Sequence, residues 1–330
     1  MNILVTGGGG FLGLHICQLL KNDGHDVSSL SRSHYISLDT LDIITIKCDL
    51  RNSDDVSKLD LSSFDAIIHT AAKAGVWGDK AEYFNINYIG TQNLFNQAKE
   101  CGIKFFIYTS SPSVVFGKED ILNGDESIPY PEKYYTAYAE SKALAEEYVL
   151  SSSCDDILSL AIRPHLIWGP GDPHLIPRIL EKAKLGQLKL VGSGTNKVDI
   201  IYVKNAALAH INALNSLVAN NDLGGNAYFI GQEKPVVLWD FINQVLALNK
   251  LNPVEKSVSF NLAYNMGYFF ELLFNILGIM KPEPPMTRFV ALQLAKSHYF
   301  SHEKAATDFN YEVITSIDQG LAETFPQKRN

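Results

Sequence analysis

Short apolar runs alternate with stretches of helical periodicity along the first 165 residues of this chain. The apolar runs are rich in Ile, Val and Phe and lack polar alternation, which is typical of strands covered on both faces. Helical stretches lie near residues 11–22, 80–101 and 136–150. The predicted strands are 2–6, 26–30, 43–47, 65–70, 104–110 and 157–163. This alternation predicts an α/β fold with a doubly wound parallel sheet.

In the second half of the chain, apolar runs and helical stretches alternate less regularly. Prolines and glycines cluster between residues 164 and 177, which predicts a loop. Strand-like pieces follow at 188–191, 198–203 and 227–230. Helical stretches lie near 204–218, 238–249, 261–278 and 286–295. We expect this half to build a smaller domain beside the main sheet.

A glycine-rich turn joins the first predicted strand to the first predicted helix. Gly7, Gly10 and Gly13 follow an apolar run directly, and leucines and isoleucines at helical spacing come next. Glycines permit positive φ and let the backbone approach a pyrophosphate at the helix N-terminus. A glycine pattern alone is weak evidence, but here the flanking strand and helix are both present. The turn therefore predicts a dinucleotide site in a Rossmann-type sheet.

These observations divide the chain into two parts. We predict a dinucleotide-binding domain over residues 1–164, with 195–231 returning to it. A smaller substrate-binding cap is expected from 165–194 and 232–330.

Charge and cysteine usage narrow the class of protein. The net charge is -8 and no basic run opposes it, which argues against nucleic acid or an anionic membrane as the main partner. The four cysteines are widely spaced, with no Cys-x-x-Cys and no histidine cluster at metal-ligand spacing, so we predict no metal site. We expect a reduced, cytoplasmic protein without a signal peptide.

One apolar stretch leaves the picture open. Between Ser257 and Met280 a single charge, Glu271, lies among many aromatic and aliphatic residues. Asparagines and a glycine interrupt the stretch, which disfavours a helix that spans a membrane. Three interpretations remain: a buried core helix, a wall of an apolar substrate pocket, or a peripheral contact with a membrane surface.

Tyr138 and Lys142 form the only Tyr-x-x-x-Lys pair in the chain. On a helix this spacing puts both side chains on one face. A nearby ammonium lowers the pKa of a phenol, ordinarily about 10, so the pair can act as a general acid and base. About one such pair is expected by chance from this composition, so its position after the fifth predicted strand gives it weight.

Hydroxyl side chains cluster where that fifth strand ends, between Tyr108 and Ser113. Ligands of open α/β sheets bind outside the carboxyl ends of the strands. A serine there can hold a substrate carbonyl oxygen. The alternative is that these hydroxyls cap their own backbone.

The end of the second strand bears on which dinucleotide the turn would bind. A carboxylate at that point accepts the ribose 2′-hydroxyl of NAD, but this chain has Ser31 followed by Arg32. An arginine suits a 2′-phosphate, so NADP(H) is favoured over NAD(H). Alternatively, Arg32 stacks on the adenine or is only solvated.

These motifs together resemble the extended short-chain dehydrogenases/reductases over nearly the whole chain. The family's glycine motif matches Thr6–Gly13, and its helix motif N-x-x-G-T-x-N matches Asn87, Gly90, Thr91 and Asn93. The resemblance implies a catalytic triad of Ser111, Tyr138 and Lys142. It implies a cofactor site made of Gly7, Gly10, Phe11, Leu12, Arg32, Asp49, Leu50, Ala71, Ala72, Tyr138, Lys142 and Pro164.

Four further stretches are similar to the 3β-hydroxysteroid dehydrogenase group within that family. This group includes the sterol-4α-carboxylate 3-dehydrogenases and the 2-alkyl-3-ketoalkanoate reductases. The stretches are 72–79, 163–173, 199–203 and 284–289. Lys204 departs from the pattern, which commonly has Asp there. Candidate substrate residues are Lys73, Trp77, Ser113 and His165.

The leading hypothesis is an NAD(P)-dependent oxidoreductase that interconverts a secondary alcohol and a ketone. Its substrate is expected to be small and apolar, either steroid-like or a long-chain 3-hydroxy or 3-keto acid. One alternative is a nucleotide-sugar epimerase or dehydratase, although the cap offers few basic residues for a diphosphate. Another is a non-catalytic cofactor-sensing regulator, which would tend to lose the Tyr/Lys pair. We also expect a homodimer.

Overall fold

A computed structural model of the chain describes residues 1–326. Its strands are β1 (Asn2–Thr6), β2 (Asp26–Ser31), β3 (Ile44–Lys47), β4 (Ala66–His69), β5 (Phe105–Thr109), β6 (Ile121–Gly124), β7 (Leu158–Pro164), β8 (Ile167–Trp168), β9 (Leu190–Val191), β10 (Lys197–Val198), β11 (Ile201–Tyr202), β12 (Ala227–Ile230), β13 (Val236–Val237), β14 (Ser257–Val258) and β15 (His298–Phe300).

The α-helices are α1 (Phe11–Asn22), α2 (Ile36–Asp39), α3 (Ser53–Val56), α4 (Lys80–Tyr83), α5 (Gly90–Glu100), α6 (Ala137–Ser151), α7 (Leu175–Lys184), α8 (Val203–Ala219), α9 (Leu238–Leu248), α10 (Phe260–Ile276), α11 (Arg288–Ala295), α12 (Glu303–Phe309) and α13 (Ile317–Thr324). A π-helical segment, Phe84–Ile89, joins α4 to α5. Short 3₁₀ turns lie at Pro112–Val114 and Asn221–Leu223.

Seven parallel strands form the main sheet, in the order β12-β7-β5-β4-β1-β2-β3. The chain runs from β1 outward through β2 and β3, then returns to the other side of β1 with β4. Strand order therefore reverses between β1 and β4, and ligands of such sheets bind in the crevice at this point. The α/β fold class and the doubly wound sheet are confirmed.

Apolar side chains cover both faces of the sheet. On one face α1 and α8 pack over residues such as Ile3 and Ile68. On the other, Leu94 and Phe95 of α5 pack with Leu4 and Phe106. Burial of both faces explains why these strands carry no polar alternation.

A separate apolar core lies beside the sheet. It contains Trp168, Tyr202 and Trp239, together with buried residues of α7, α9 and α11. Strand β12, from within 195–231, pairs with β7 of the main sheet, whereas α9, α10 and α11 lie outside the sheet. Strands β6 and β10, however, join β13 and β15 in a separate four-stranded sheet, so the division into a dinucleotide domain and a cap stays a proposal.

Local sequence signals located most of the helices. The predicted helix over 80–101 is present as α4, the π-helical segment and α5, and it stops before Gly102, whose φ is 78°. Helix α7 was not predicted, because Pro177 lies within a stretch that reads as a loop. Proline is tolerated there because it falls in the first turn of the helix.

Candidate active site

The glycine-rich turn between β1 and α1 is built for close backbone approach. Gly7 has a φ of 68°, and the amide of Gly10 donates to its carbonyl oxygen at 2.8 Å. A Cβ at Gly13 would lie 2.3 Å from that same oxygen, so no larger residue fits. No side chain caps α1, which leaves the amides of Phe11 and Leu12 at its N-terminus available to an anion.

A groove of 440 Å³ leads from this turn along the ends of β2 and β3. It is lined by side chains and backbone from five separate stretches of the chain. Seven of the predicted cofactor residues are brought together here, namely Gly7, Gly10, Arg32, Asp49, Leu50, Ala71 and Ala72. Tyr35, Arg51 and Ile86 also line the groove and were not predicted. An uncapped helix, a glycine turn and an elongated groove fit a dinucleotide.

Asp49 and Arg51 form an ion pair in this groove. The Arg51 Nε donates to both carboxylate oxygens of Asp49, at 2.9 and 3.0 Å. This hydrogen bonding lowers the pKa of Asp49, and the charge of Arg32 acts in the same direction. The groove therefore holds two arginines and one carboxylate. Arg51 lies two residues after Asp49, the acidic residue that follows β3. This short spacing is a local signal from which the ion pair could have been predicted.

A chain of buried hydrogen bonds fixes the loop that follows β4. The amide of Ala71 donates to the hydroxyl of Thr6 at 3.2 Å, and this hydroxyl lies 2.6 Å from His69 Nδ1. His69 Nε2 lies 2.9 Å from the Thr91 hydroxyl, which donates to the Asn87 carbonyl at 2.6 Å. Only a neutral histidine protonated at Nε2 satisfies every partner. Burial lowers the pKa of His69 to about 3, in agreement with this neutral form.

Asn87, in the π-helical segment, connects the cofactor loop to the helix that carries Tyr138. Its amide oxygen accepts from the amide of Lys73 at 2.7 Å, and its Nδ2 donates to the Lys73 carbonyl. The same Nδ2 donates to the Ser141 hydroxyl on α6 at 3.0 Å. One buried side chain thus fixes both elements, and π-helical segments of this kind are frequent at functional sites.

Tyr138 lies in the first turn of α6, where the Thr136 hydroxyl caps the helix. Burial raises the pKa of the Tyr138 phenol, whereas hydrogen bonding with the Ser111 hydroxyl lowers it. Ser111 itself accepts a hydrogen bond from the Ser113 hydroxyl at 3.0 Å. The structure thus brings Ser111, Ser113 and Tyr138 together at the carboxyl end of β5.

Lys142, one turn along α6, is buried against β5. Its amino group donates to the Thr109 carbonyl at 2.6 Å and lies 4.0 Å from the centre of the Tyr108 ring. Burial lowers the pKa of Lys142 to about 7, against the opposing charge of Glu146. The Thr109 hydroxyl lies 2.9 Å from Nε2 of His210 on α8. His210 thus holds the strand end that receives Lys142, a link for which no local sequence signal exists.

Two other predicted residues lie on the loop after β4. The amino group of Lys73 forms an ion pair with Glu82 and lies 4.6 Å from the centre of the Tyr83 ring. The indole of Trp77 donates to the Ile279 carbonyl at 3.0 Å and packs edge-on against Phe274. This loop therefore joins the dinucleotide groove to the end of α10.

His165 follows Pro164 at the carboxyl end of β7. Its Nε2 lies 2.6 Å from Nδ1 of His298, whose own Nε2 lies 3.1 Å from the Gln293 carbonyl. Burial lowers the pKa of His298 to about 4 and that of His165 well below its ordinary value, so both rings are neutral. Nε2 of His298 carries the proton that is donated to the Gln293 carbonyl. Nδ1 of the neutral His298 ring therefore accepts a hydrogen bond from the Nε2–H of His165.

An apolar cavity of 450 Å³ lies between α7, α9 and α11. Phe11 from the glycine turn, Val76 from the loop after β4, and Leu166 beside His165 reach its edge. Arg178 and Lys182 of α7 are the cationic residues on its wall, and Arg178 pairs with Glu283 at 2.8 Å. The remaining lining is mainly aliphatic and aromatic, from Leu175, Ile179, Leu238, Phe241, Ile242, Phe289, Val290 and Leu294.

The segment 257–280 contributes no residue to the lining of this cavity. Its main element, α10, packs on the outer side of α11, where Glu271 pairs with Arg288 at 2.6 Å. Helix α11 lies between 257–280 and this cavity, and the interpretation of 257–280 as a wall of the substrate pocket stays a prediction. The outer face of α10 exposes large apolar side chains, including Phe269 and Ile276. Within residues 1–326, no helix has the length and apolarity needed to cross a membrane.

Known proteins of similar sequence match almost the whole chain. A 2-alkyl-3-oxoalkanoate reductase of Stenotrophomonas maltophilia is 42% identical over 97% of each chain. A decarboxylating sterol-4-alpha-carboxylate 3-dehydrogenase of Mus musculus is 31% identical over 97% of this chain and 89% of the relative.

Solved structures are similar in fold. A UDP-glucose 4-epimerase of Thermus thermophilus, in complex with NAD, superposes with a TM-score of 0.76 over 98% of each chain. At 21% identity this likeness concerns the fold alone. The sequence of residues 4–262 matches the 3-beta hydroxysteroid dehydrogenase/isomerase family. This match covers most of the chain and agrees with the relatives, so the protein belongs to that family of dehydrogenases and reductases.

Proposed function

We propose that this enzyme uses a nicotinamide dinucleotide to interconvert a secondary alcohol and a ketone on an apolar substrate. The observation that carries the proposal is the apolar cavity, whose edge meets the glycine turn and the loop after β4. When bound, the nicotinamide ring supplies or accepts a hydride. The glycine turn, Ala71, Ala72 and the two arginines of the groove would hold this cofactor.

Tyr138 is the proton donor when a ketone is reduced. Because its pKa is raised, the phenol is protonated at neutral pH and can donate to the oxygen that gains negative charge. Ser111 donates a second hydrogen bond to the same oxygen and holds it near the phenol. After the alcohol has formed, solvent returns the proton to Tyr138. In the oxidative direction, the same phenol oxygen accepts the proton of the alcohol.

Lys142 supports this chemistry from the next turn of α6. Its ammonium donates to the Thr109 carbonyl, one helical turn from Tyr138, and would there hold the ribose of the bound dinucleotide. The proposal for Lys142 therefore requires its protonated form, which dominates below about pH 7 in the dinucleotide-free enzyme.

For the cofactor, we propose NADP(H) rather than NAD(H). Arg32 is exposed at the end of β2, where a carboxylate would favour NAD. Asp49, the carboxylate closest along the groove, is already bound to Arg51. This neutralisation removes a charge that would repel a 2′-phosphate.

For the substrate, we propose a 3-oxo or 3-hydroxy acid with long alkyl groups. The cavity has a mainly apolar lining that suits alkyl chains, and the Stenotrophomonas relative is named as a reductase of 2-alkyl-3-oxoalkanoates. A nucleotide sugar would need cations for its diphosphate, and of the two on the cavity wall Arg178 is already paired with Glu283, which leaves Lys182. The cavity thus favours the reductase over an epimerase or dehydratase.

The test is a substrate panel assayed at equal enzyme concentration. It contains long-chain 2-alkyl-3-oxo acids, 3β-hydroxysteroids, and UDP- and dTDP-sugars, each with both dinucleotides. We expect turnover of the alkyl acids, measured by the change in nicotinamide absorbance. Turnover of the nucleotide sugars alone would overturn the proposal in favour of the epimerase alternative.

A further inference from the structure

The ring of Tyr35 lies directly on Gly9 of the glycine-rich turn. A Cβ built at Gly9 would fall 2.1 Å from Cγ and 2.3 Å from Cδ2 of that ring, far inside van der Waals contact. Gly9 is not among the residues with positive φ, so its backbone conformation does not itself require glycine. The space that a side chain would fill at position 9 is occupied by Tyr35.

The same ring is a wall of the dinucleotide groove. Tyr35 lines the 440 Å³ groove together with Gly7, Gly10 and Arg32. It comes from the irregular segment that links β2 to α2, whereas Gly9 belongs to the turn that begins α1. The Tyr35–Gly9 contact therefore joins the segment after β2 to the turn after β1, and both of these stretches contribute residues to the groove lining.

The contact is held by packing at an exposed position. Tyr35 is 38% exposed, and its neighbour Ile36 is 77% exposed. Few buried contacts hold such a segment, so its local opening costs less free energy than unfolding of the sheet. The ring can leave Gly9 while β1, β2 and α1 stay in place.

We propose that Tyr35 is a gate of the dinucleotide groove, which closes by packing on Gly9 and must move away before the dinucleotide exchanges. The inference rests on the proposed binding of a dinucleotide in this groove. A closed ring slows dissociation by covering the bound molecule and contributes apolar contact to it. Glycine at position 9 is what allows the closed position.

A double-mutant cycle on dinucleotide dissociation tests this gate. The rate is measured by stopped-flow fluorescence as NADPH is displaced from the full chain. We expect Tyr35→Ala to accelerate dissociation by about threefold to about tenfold, the range of a single aromatic contact. Gly9→Ala should accelerate it similarly, because the new methyl group pushes the ring off the turn. Tyr35→Phe keeps the ring and should retain slow dissociation.

The double variant separates the gate from a general defect of the turn. With the ring absent, the methyl group at position 9 meets nothing that belongs to Tyr35, so Gly9→Ala/Tyr35→Ala should behave like Tyr35→Ala alone. Ile36→Ala is the matched control on the same segment and should leave the rate unchanged.

Two results would overturn the gate: strictly additive effects of the two substitutions, or an unchanged rate in Tyr35→Ala. A wild-type chain that bound neither dinucleotide would instead remove the proposed function, and the gate with it. Thermal unfolding of each variant shows whether it is folded at the assay temperature.

Discussion

The amino group of Lys142 donates to a backbone carbonyl in a buried position, and this burial makes its charge sensitive to pH near neutrality. Burial favours the neutral amine, whereas the carboxylate of Glu146 favours the ammonium. Burial likewise favours the uncharged form of Tyr138 on the same helix, which is the protonated phenol, so it raises the pKa of this group. Lys142 therefore carries its charge only below about pH 7, whereas Tyr138 remains a protonated phenol at neutral pH.

Removal of the Tyr138 hydroxyl should separate chemistry from binding. Tyr138→Phe keeps the ring but loses the proton donor, so we expect kcat to fall by about 10²–10⁴-fold. Affinity for the dinucleotide, measured by fluorescence titration, should stay close to that of the wild type. Lys142→Met should reduce both quantities. Full activity of Tyr138→Phe on any substrate would contradict the proton-transfer role.

Arg32 provides a second prediction at this scale. The wild type should bind NADPH more tightly than NADH, and Arg32→Ala should narrow the difference by about tenfold or more, the effect of a lost charge-assisted hydrogen bond. Titration of both proteins with both dinucleotides measures this directly. Equal affinities in the wild type would refute the assignment of Arg32, whatever the variant does.

Local spacing explains which site residues the sequence could reveal. Tyr138 and Lys142 are one helical turn apart and follow the fifth strand, and the glycine turn lies between a strand and a helix, so spacing and position together identified them. His298 and His210 are different, because each lies more than 100 residues from its partner along the chain. No local pattern links such pairs, so only the folded structure shows which ring each histidine orients.

Among the elements, α10 and α11 show how close packing can depend on one glycine. A Cβ at Gly267 of α10 would lie 2.5 Å from the carbonyl carbon of Thr287 and 2.6 Å from the amide of Arg288. The N-terminus of α11 therefore packs backbone to backbone against α10. Because α11 carries Phe289 and Val290 into the apolar cavity, this contact also positions the cavity wall.

We expect Gly267→Ala to destabilise the protein by about 1–3 kcal/mol through overpacking. Denaturant unfolding measures this change, and a raised KM for apolar substrates should accompany it. Gly117→Ala is the matched control, since a Cβ there meets nothing within 4 Å and its φ is not positive. An equal loss of stability in both variants would argue against the helix contact as the cause.

Helix α10 also shows that the pattern of apolar residues did not predict which face of this helix is buried. Its many apolar residues predicted burial or a special partner, and its inner side is indeed held by buried Ala263 and Gly267. Its outer side keeps large apolar groups in contact with solvent, for instance Phe269 at 59% exposure. Composition does not tell an inner apolar face from an outer one when both are apolar.

For the molecule as a whole, buried histidines should determine stability in weak acid. Burial lowers the pKa of His210 to about 4 and that of His69 to about 3, while the unfolded chain titrates near 6.5. Below that value the unfolded state binds protons that the folded state does not. The free energy of unfolding therefore falls as pH falls, until the folded-state pKa is reached.

Each such histidine should contribute a slope of about 1.4 kcal/mol per pH unit across this window. Denaturant unfolding between about pH 6 and about pH 5 measures the slope. His210→Gln should reduce this slope by the contribution of about one bound proton. Carboxylates affect both proteins alike, so the difference isolates the histidine. An identical slope in the two proteins would mean that His210 is not kept neutral by the fold.

The packing of α8 against α1 has a consequence for how the chain is made. The buried side of α1, with Ile16 and Leu20, belongs to the same core as Ala209 and Leu214 of α8. On the ribosome, α1 is made well before α8, so this cover arrives only after Val203 has been synthesised. Until then, the nascent chain carries α1 with an apolar side that α8 does not yet cover, next to the glycine-rich turn. Contacts between segments so far apart in sequence slow folding and leave intermediates prone to aggregation. Helix α1 therefore reaches its native packing only late, when α8 has formed.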